Sequence, residues 1–263
     1  MSGSVSEAAA AVDRSCARFT TLLRSGLDGE RRIKASTWTI RDLGSHLTSG
    51  ILAYRQVAGG EPSPYADIND RAETNQSRLE ATSHLSLEAM ADIIDAECAV
   101  VAAALEAQPR DALVARHGGI TLTPRAVLGA MVGEFLFHGL DLARTVGVRW
   151  RIDRVDALPA VDVFTAVAPH LLVRDAVRDL TATVEVRCRG YDTSTFEFRD
   201  GALTVTRGPA SKADVHMSVD PVSFLLVGYK RGGLAKPIAT GRALAWGRRP
   251  WLALRFAGFF QAP

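Results

Sequence analysis

Apolar residues recur at a helical period through roughly the first 150 residues and at every second residue from Thr181 onwards. One repeating element cannot satisfy both periods, so the chain must combine a helical part with a part containing sheet. In the first part, Val5–Leu23 is alanine-rich, with Ala8, Val12, Phe19 and Leu22/Leu23 near a 3.6-residue spacing. Leu87, Met90, Ile94, Cys98, Val101 and Leu105 form a second one-faced stripe. Thr39, with Asp42 three residues on, is an aspartate variant of the capping box and starts a helix carrying Leu43, His46, Leu47, Ile51 and Tyr54 towards Gly59-Gly60. After His117-Gly118-Gly119, Thr123 and Pro124 open a further helix that runs to Gly147. Glu61 to Pro64 reads as a loop, and the polar stretch Asn69 to Ser86 as partly helical.

Past Trp150 the character changes. Pro159 to Val177 reads as a helix, and Thr181 to Arg189 alternates as a half-buried strand does. Thr193–Phe198, Leu203–Thr206 and Asp214–Val219 are further strand candidates, with Asp200-Gly201 as a hairpin turn. Pro221–Tyr229 and Trp251–Phe260 read as helices. The expected fold class is α+β, with a four-helix bundle over residues 1–150 and a smaller α+β domain over 151–263.

Composition removes several function classes. Thirty-one basic residues against 29 acidic ones leave a net charge of +2, with no footprint for nucleic acid. The most apolar stretch, Ala126 to Leu142, is interrupted by Glu134, His138 and Asp141, so no membrane-spanning helix is expected. The start of the chain lacks the basic region of a secretory signal. Cys16, Cys98 and Cys188 are far apart and form no CxxC pair, which suits structural thiols in a reduced, cytoplasmic protein.

Glu134 and His138 are four apart and share a helical face, where a carboxylate and an imidazole can both ligate zinc. Glu80 and His84 have the same spacing, so spacing alone does not identify a site. Context separates the pairs: Glu80/His84 lies in a Ser/Thr/Asn/Gln-rich stretch, as a solvated face would, whereas Glu134/His138 lies among Val127, Leu128, Met131, Phe135, Leu136 and Phe137. A carboxylate buried there needs a partner, either a metal or an ion pair with the imidazole that merely joins two helices. His46, one turn after Asp42 and beside Leu43 and Leu47, is the candidate third ligand, against the alternative of a hydrogen-bonded core histidine. Two histidines and a glutamate leave an open fourth position, as catalytic zinc sites do. Asp141 could orient the His138 imidazole or pair with Arg144.

Trp38-Thr-Ile-Arg-Asp-Leu-Gly-Ser-His-Leu47 resembles the first signature of the DinB-like, mycothiol-dependent maleylpyruvate isomerase family, W-[ST]-x-x-D-L-x-x-H-L. Glu134-Phe-Leu-Phe-His-Gly-Leu-Asp-Leu-Ala-Arg144 resembles the second, E-x-x-x-H-x-x-D-L-A-R. The resemblance implies that His46, Glu134 and His138 bind a divalent metal, usually zinc, and that the thiol cofactor is mycothiol. It implies a reaction in which thiolate adds to an activated cis double bond and leaves after rotation, or else transfer of the thiol to an electrophile. It also implies that an arginine of the C-terminal domain assists the substrate, a role for which Arg187, Arg189, Arg207 and Arg242 compete. Ala213 to Pro221 and Gly241 to Gly247 resemble the sterol-carrier-protein-like domain that often follows the bundle.

Two readings of function follow. The first is a zinc-dependent enzyme acting on a small-molecule substrate with a low-molecular-weight thiol, as isomerase or transferase, whether monomer or homodimer. The rival is a non-catalytic protein that binds an apolar small molecule in the C-terminal domain. Phe224, Leu225, Leu226, Trp251, Leu254, Phe256, Phe259 and Phe260 would line the tunnel, or they form the core of a small domain.

Overall fold

The computed structural model describes residues 3–62, 77, 79–115 and 120–261. Ser63-Pro64, half of the stretch from Asn69 to Ser86 (residues 69–76 and 78), and His117-Gly118-Gly119 lie outside the described residues. The chain divides into two compact units, Gly3–Pro159 and Ala160–Pro263.

Among the described residues, the first unit has four long helices: α1 (Val5–Leu23), α2 (Ile40–Ala58), α3 (Leu87–Glu106) and α4 (Pro124–Val146). Each begins on a hydroxyl cap that accepts a backbone N–H of the first turn: Ser4, Thr39, Ser86 and Thr123. The Thr39/Asp42 capping box is complete, with the Thr39 N–H donating to Asp42 Oδ2 at 2.8 Å and the Asp42 N–H donating to Thr39 Oγ1 at 3.1 Å. Gly147 closes α4 at φ +83°, a left-handed conformation that glycine adopts without strain. Helix α1 packs on α3 and α4, and α2 on α3. Pro124–Val146 is long and apolar enough to cross a membrane by length and composition alone. Its most apolar window is 83% buried inside the protein, as the central helix of a bundle is. A two-rung ladder, β1 (Val114–Ala115) with β2 (Thr121–Leu122), precedes α4.

Helix α5 (Arg154–Val167) crosses the division between the units. The expected single helix from Pro159 to Val177 is broken. Pro159 lies inside α5, and a 3₁₀ turn at Ala168–His170 separates α5 from α6 (Arg174–Val177). Pro169 accounts for the break, since it has no N–H to continue the ladder and its ring crowds the carbonyl four residues back.

The second unit is a five-stranded sheet with its helices. The strands are β3 (Ala182–Cys188), β4 (Thr193–Arg199), β5 (Ala202–Arg207), β6 (Val215–Val219) and β7 (Ala243–Gly247), in the order β5-β4-β3-β6-β7. All neighbours are antiparallel except β3 and β6. Asp200 and Gly201 both have positive φ, 52° and 73°, as a two-residue hairpin turn of this hand requires. Strand β7 was not expected, because Ala-Leu-Ala-Trp-Gly has no polar alternation. The expected helix from Trp251 to Phe260 is instead a short α9 (Leu252–Arg255) followed by a 3₁₀ turn. Helices α7 (Pro221–Gly228) and α8 (Ala235–Ala239) complete the unit.

One sheet face packs as core. Phe196 and Phe198 meet Phe256 and Phe260 with ring centroids 5.2–6.4 Å apart, mostly edge to face. Phe224, Leu225, Phe256, Phe259 and Phe260 are buried in this unit, while Trp251 and Leu254 are exposed. On the other face Glu185 is buried under His216, whose Nδ1 lies 3.0 Å from its carboxylate. Burial would raise the Glu185 carboxyl, but the bonds from His216, Arg187 and the Ala210 N–H outweigh it and hold the group below its ordinary value.

Candidate metal centre

Between Pro124 and Ala143, α4 is buried at every position except Glu134, His138 and Asp141. Those three lie one turn apart on a single stripe, so the helix opens towards solvent only where it carries ionisable groups. Glu134 is less enclosed than its apolar sequence context implies, with 35% of its side chain exposed, against 16% for His138. Helix α2 brings His46 to the same place, also 16% exposed.

The three side chains converge. His46 Nε2 lies 3.4 Å from Glu134 Oε2, and His138 Nε2 lies 3.3 Å from the same oxygen. One ligand atom from each residue falls within 4.8 Å of the others. Donor atoms about 2.0–2.2 Å from one tetrahedral zinc stand roughly 3.3–3.6 Å apart, and the separations of the two imidazole nitrogens from Glu134 Oε2, 3.4 and 3.3 Å, match that spacing. Loss of water around Glu134 would raise its carboxyl, but hydrogen bonds from His138 and His46 and their charge outweigh that effect and hold it well below the usual carboxylate range. The group therefore stays ionised at neutral pH, the state a ligand needs.

Asp141 is beside His138, its Oδ2 3.8 Å from Nδ1, which is close for a charge but longer than a hydrogen bond. Glu80 and His84 do not share a helix face, because the helical residues end at 82 and His84 sits in an exposed turn. Of the arginines set out above, Arg187 pairs with Glu185, Arg207 with Asp162 and Asp192, and Arg189 donates to Ser218. Trp38 was not singled out from the residues, yet its ring lies 4.9 Å from His46 and 6.3 Å from His138, centroid to centroid. Its place immediately before the Thr39 cap was the signal that could have marked it.

Gly139, next to His138, lets Trp150 lie against α4. A Cβ there would come 2.1 Å from the indole ring, which is held by a 3.0 Å bond from its Nε1 to the Leu136 carbonyl and by Arg18 over its face. Gly139→Ala should therefore lower stability by about 1–3 kcal/mol, an overpacking cost measurable by urea unfolding. An unchanged midpoint would mean that the indole moves aside freely.

The sequence profile described as the mycothiol maleylpyruvate isomerase N-terminal domain matches residues 8–143. Among solved structures, a mycothiol-dependent maleylpyruvate isomerase is similar at 16% identity and a TM-score of 0.54, covering 88% of this chain and 90% of that one. A histidine-to-alanine mutant of an enzyme of that name aligns at 14% identity and a TM-score of 0.54, over 92% of this chain and 93% of that one. At these identities the likeness concerns the fold. No curated protein matches the chain in sequence.

Proposed function

The chain belongs to the mycothiol maleylpyruvate isomerase family, a family of enzymes, and on that premise we propose a zinc-dependent enzyme that uses mycothiol on a small electrophilic substrate. Cis–trans isomerisation of a maleylpyruvate-like compound is the leading reaction, and transfer of the thiol to an electrophile is the other. The observation that carries this reading is the convergence of His46, Glu134 and His138 within 4.8 Å on the one open stripe of a buried helix.

In this reading His46 Nε2, His138 Nε2 and a Glu134 carboxylate oxygen hold the metal. When bound, a zinc ion with an open position supplies Lewis acidity that keeps a thiol in its nucleophilic thiolate form at neutral pH. Glu134 would contribute one negative charge, and His46 and His138 one nitrogen donor each. Trp38 lies beside both imidazoles, its ring 4.9 Å from that of His46 and 6.3 Å from that of His138. The protein's own thiols are not candidates for the nucleophile: Cys16, Cys98 and Cys188 are all buried. Burial raises the Cys98 thiol far above its ordinary value, and the neighbouring Cys16 thiol adds to the effect. Buried, unbridged thiols also support a reducing, cytoplasmic setting.

Elemental analysis of the purified protein followed by turnover of maleylpyruvate with and without mycothiol tests the reading. About one zinc per chain and thiol-dependent turnover are expected. Full activity without added thiol would remove the mycothiol part and leave metal-assisted hydrolysis as the next reading. Absence of bound metal after purification and after reconstitution with zinc would remove the metal part.

A further inference from the structure

Histidines that ligate metals ordinarily donate their second ring N–H to a carboxylate, carbonyl or water, which fixes the ring. Asp141 Oδ2 lies 3.8 Å from the Nδ1 of His138, longer than such a bond. His46 has no hydrogen-bond partner at Nδ1 among the described residues, and its only polar contact with them is the one from Nε2 to Glu134. Its ring is instead held between two others. Trp38 lies on one side at 4.9 Å and an interplanar angle of 44°, and His138 meets it edge-on at 5.0 Å.

Trp38 is itself fixed by local backbone structure. Its carbonyl accepts the Ile33 N–H at 2.9 Å, and its own N–H donates to Ser36 Oγ at 3.1 Å. The next residue, Thr39, bridges to Arg32 and caps α2. The indole thus sits on a pinned turn that is continuous with the first turn of the helix carrying His46.

We propose that Trp38 is a positioning residue for His46: its ring takes the part that a hydrogen-bond acceptor plays for other metal-bound histidines, keeping Nε2 turned towards Glu134. This rests on the metal reading above. The physical cause is rotational. With no acceptor at Nδ1 among the described residues, the imidazole of His46 turns about its side-chain bonds unless a neighbouring ring blocks the movement, and each alternative rotamer takes Nε2 away from the other two donors.

The test compares Trp38→Ala and Trp38→Phe with the unaltered protein by zinc competition against a chromophoric chelator. Cobalt(II) absorption reads the coordination geometry, and thermal unfolding of the metal-free proteins serves as a control. Trp38→Ala should weaken zinc binding by about 10-fold or more, the effect of losing an orienting partner, and should weaken the tetrahedral cobalt bands. Trp38→Phe, which keeps a flat ring, should restore affinity to within about threefold and restore the bands. Equal affinity in Trp38→Ala and the unaltered protein would overturn the proposal. So would a Phe variant as weak as the Ala variant, or a loss of affinity accounted for by unfolding of the metal-free Ala variant. If the unaltered protein binds no zinc in this assay, the metal reading fails and the proposal with it. Tight zinc binding that ignores Trp38 removes the proposal alone.

Discussion

His138→Ala should abolish stoichiometric zinc and turnover together. The substitution removes one of three donors and leaves His46 and Glu134, 3.4 Å apart, as a two-ligand site. Loss of an outer partner of a metal ligand costs about 10–100-fold in affinity or activity, so loss of the ligand itself should exceed about 100-fold. Glu80→Ala and His84→Ala, the other pair at the same spacing, should leave zinc content and turnover unchanged, because the helical residues there end at 82 and His84 is exposed. Elemental analysis and a thiol-supplemented assay on the three variants read the contrast. Zinc retained by His138→Ala, or lost from either control, would place the metal away from Glu134 and His138.

Phe198→Ala should destabilise the sheet unit by about 3–5 kcal/mol, the cost of deleting a fully buried aromatic ring and leaving its cavity. Phe198 is 1% exposed and touches Phe256, Phe259 and Phe260, three residues that follow one another closely at the end of the chain. Whole domains are stable by only about 5–15 kcal/mol, so the loss should be plain in urea unfolding. A loss under about 1 kcal/mol would mean a loosely filled cluster. That result would return these residues to the ligand-lining role that the sequence left open beside the core reading.

The same cluster marks a limit of what could be read in advance. Apolar content between Trp251 and Phe260 announced burial but not shape. The segment winds as α9 and then a 3₁₀ turn because its phenylalanines must reach Phe196 and Phe198 on a twisted sheet, a demand set by strands more than fifty residues earlier. Strand β7 is a similar case: it carries no alternation of its own and becomes a strand only through its pairing with β6. The parallel pairing of β3 with β6 likewise links segments separated by a whole hairpin.

What the sequence determined by itself was local. The Thr39/Asp42 box, Pro124 after its Thr123 cap, Gly147 at the end of α4 and the Asp200-Gly201 turn each act through bonds or dihedral angles within a few residues, so each is written in a short string. Glu134 and His138 were readable for the same reason, since a helix places the fourth residue on the same face. Their meeting with His46, 88 residues away, was beyond local geometry. So were the ending of the helical residues before His84 and the placing of Trp38 against the His46 ring. Those were decided by the tertiary structure, because only the burial of α4 among the other helices sets which of its faces stays open and which turn of α2 comes to lie beside it.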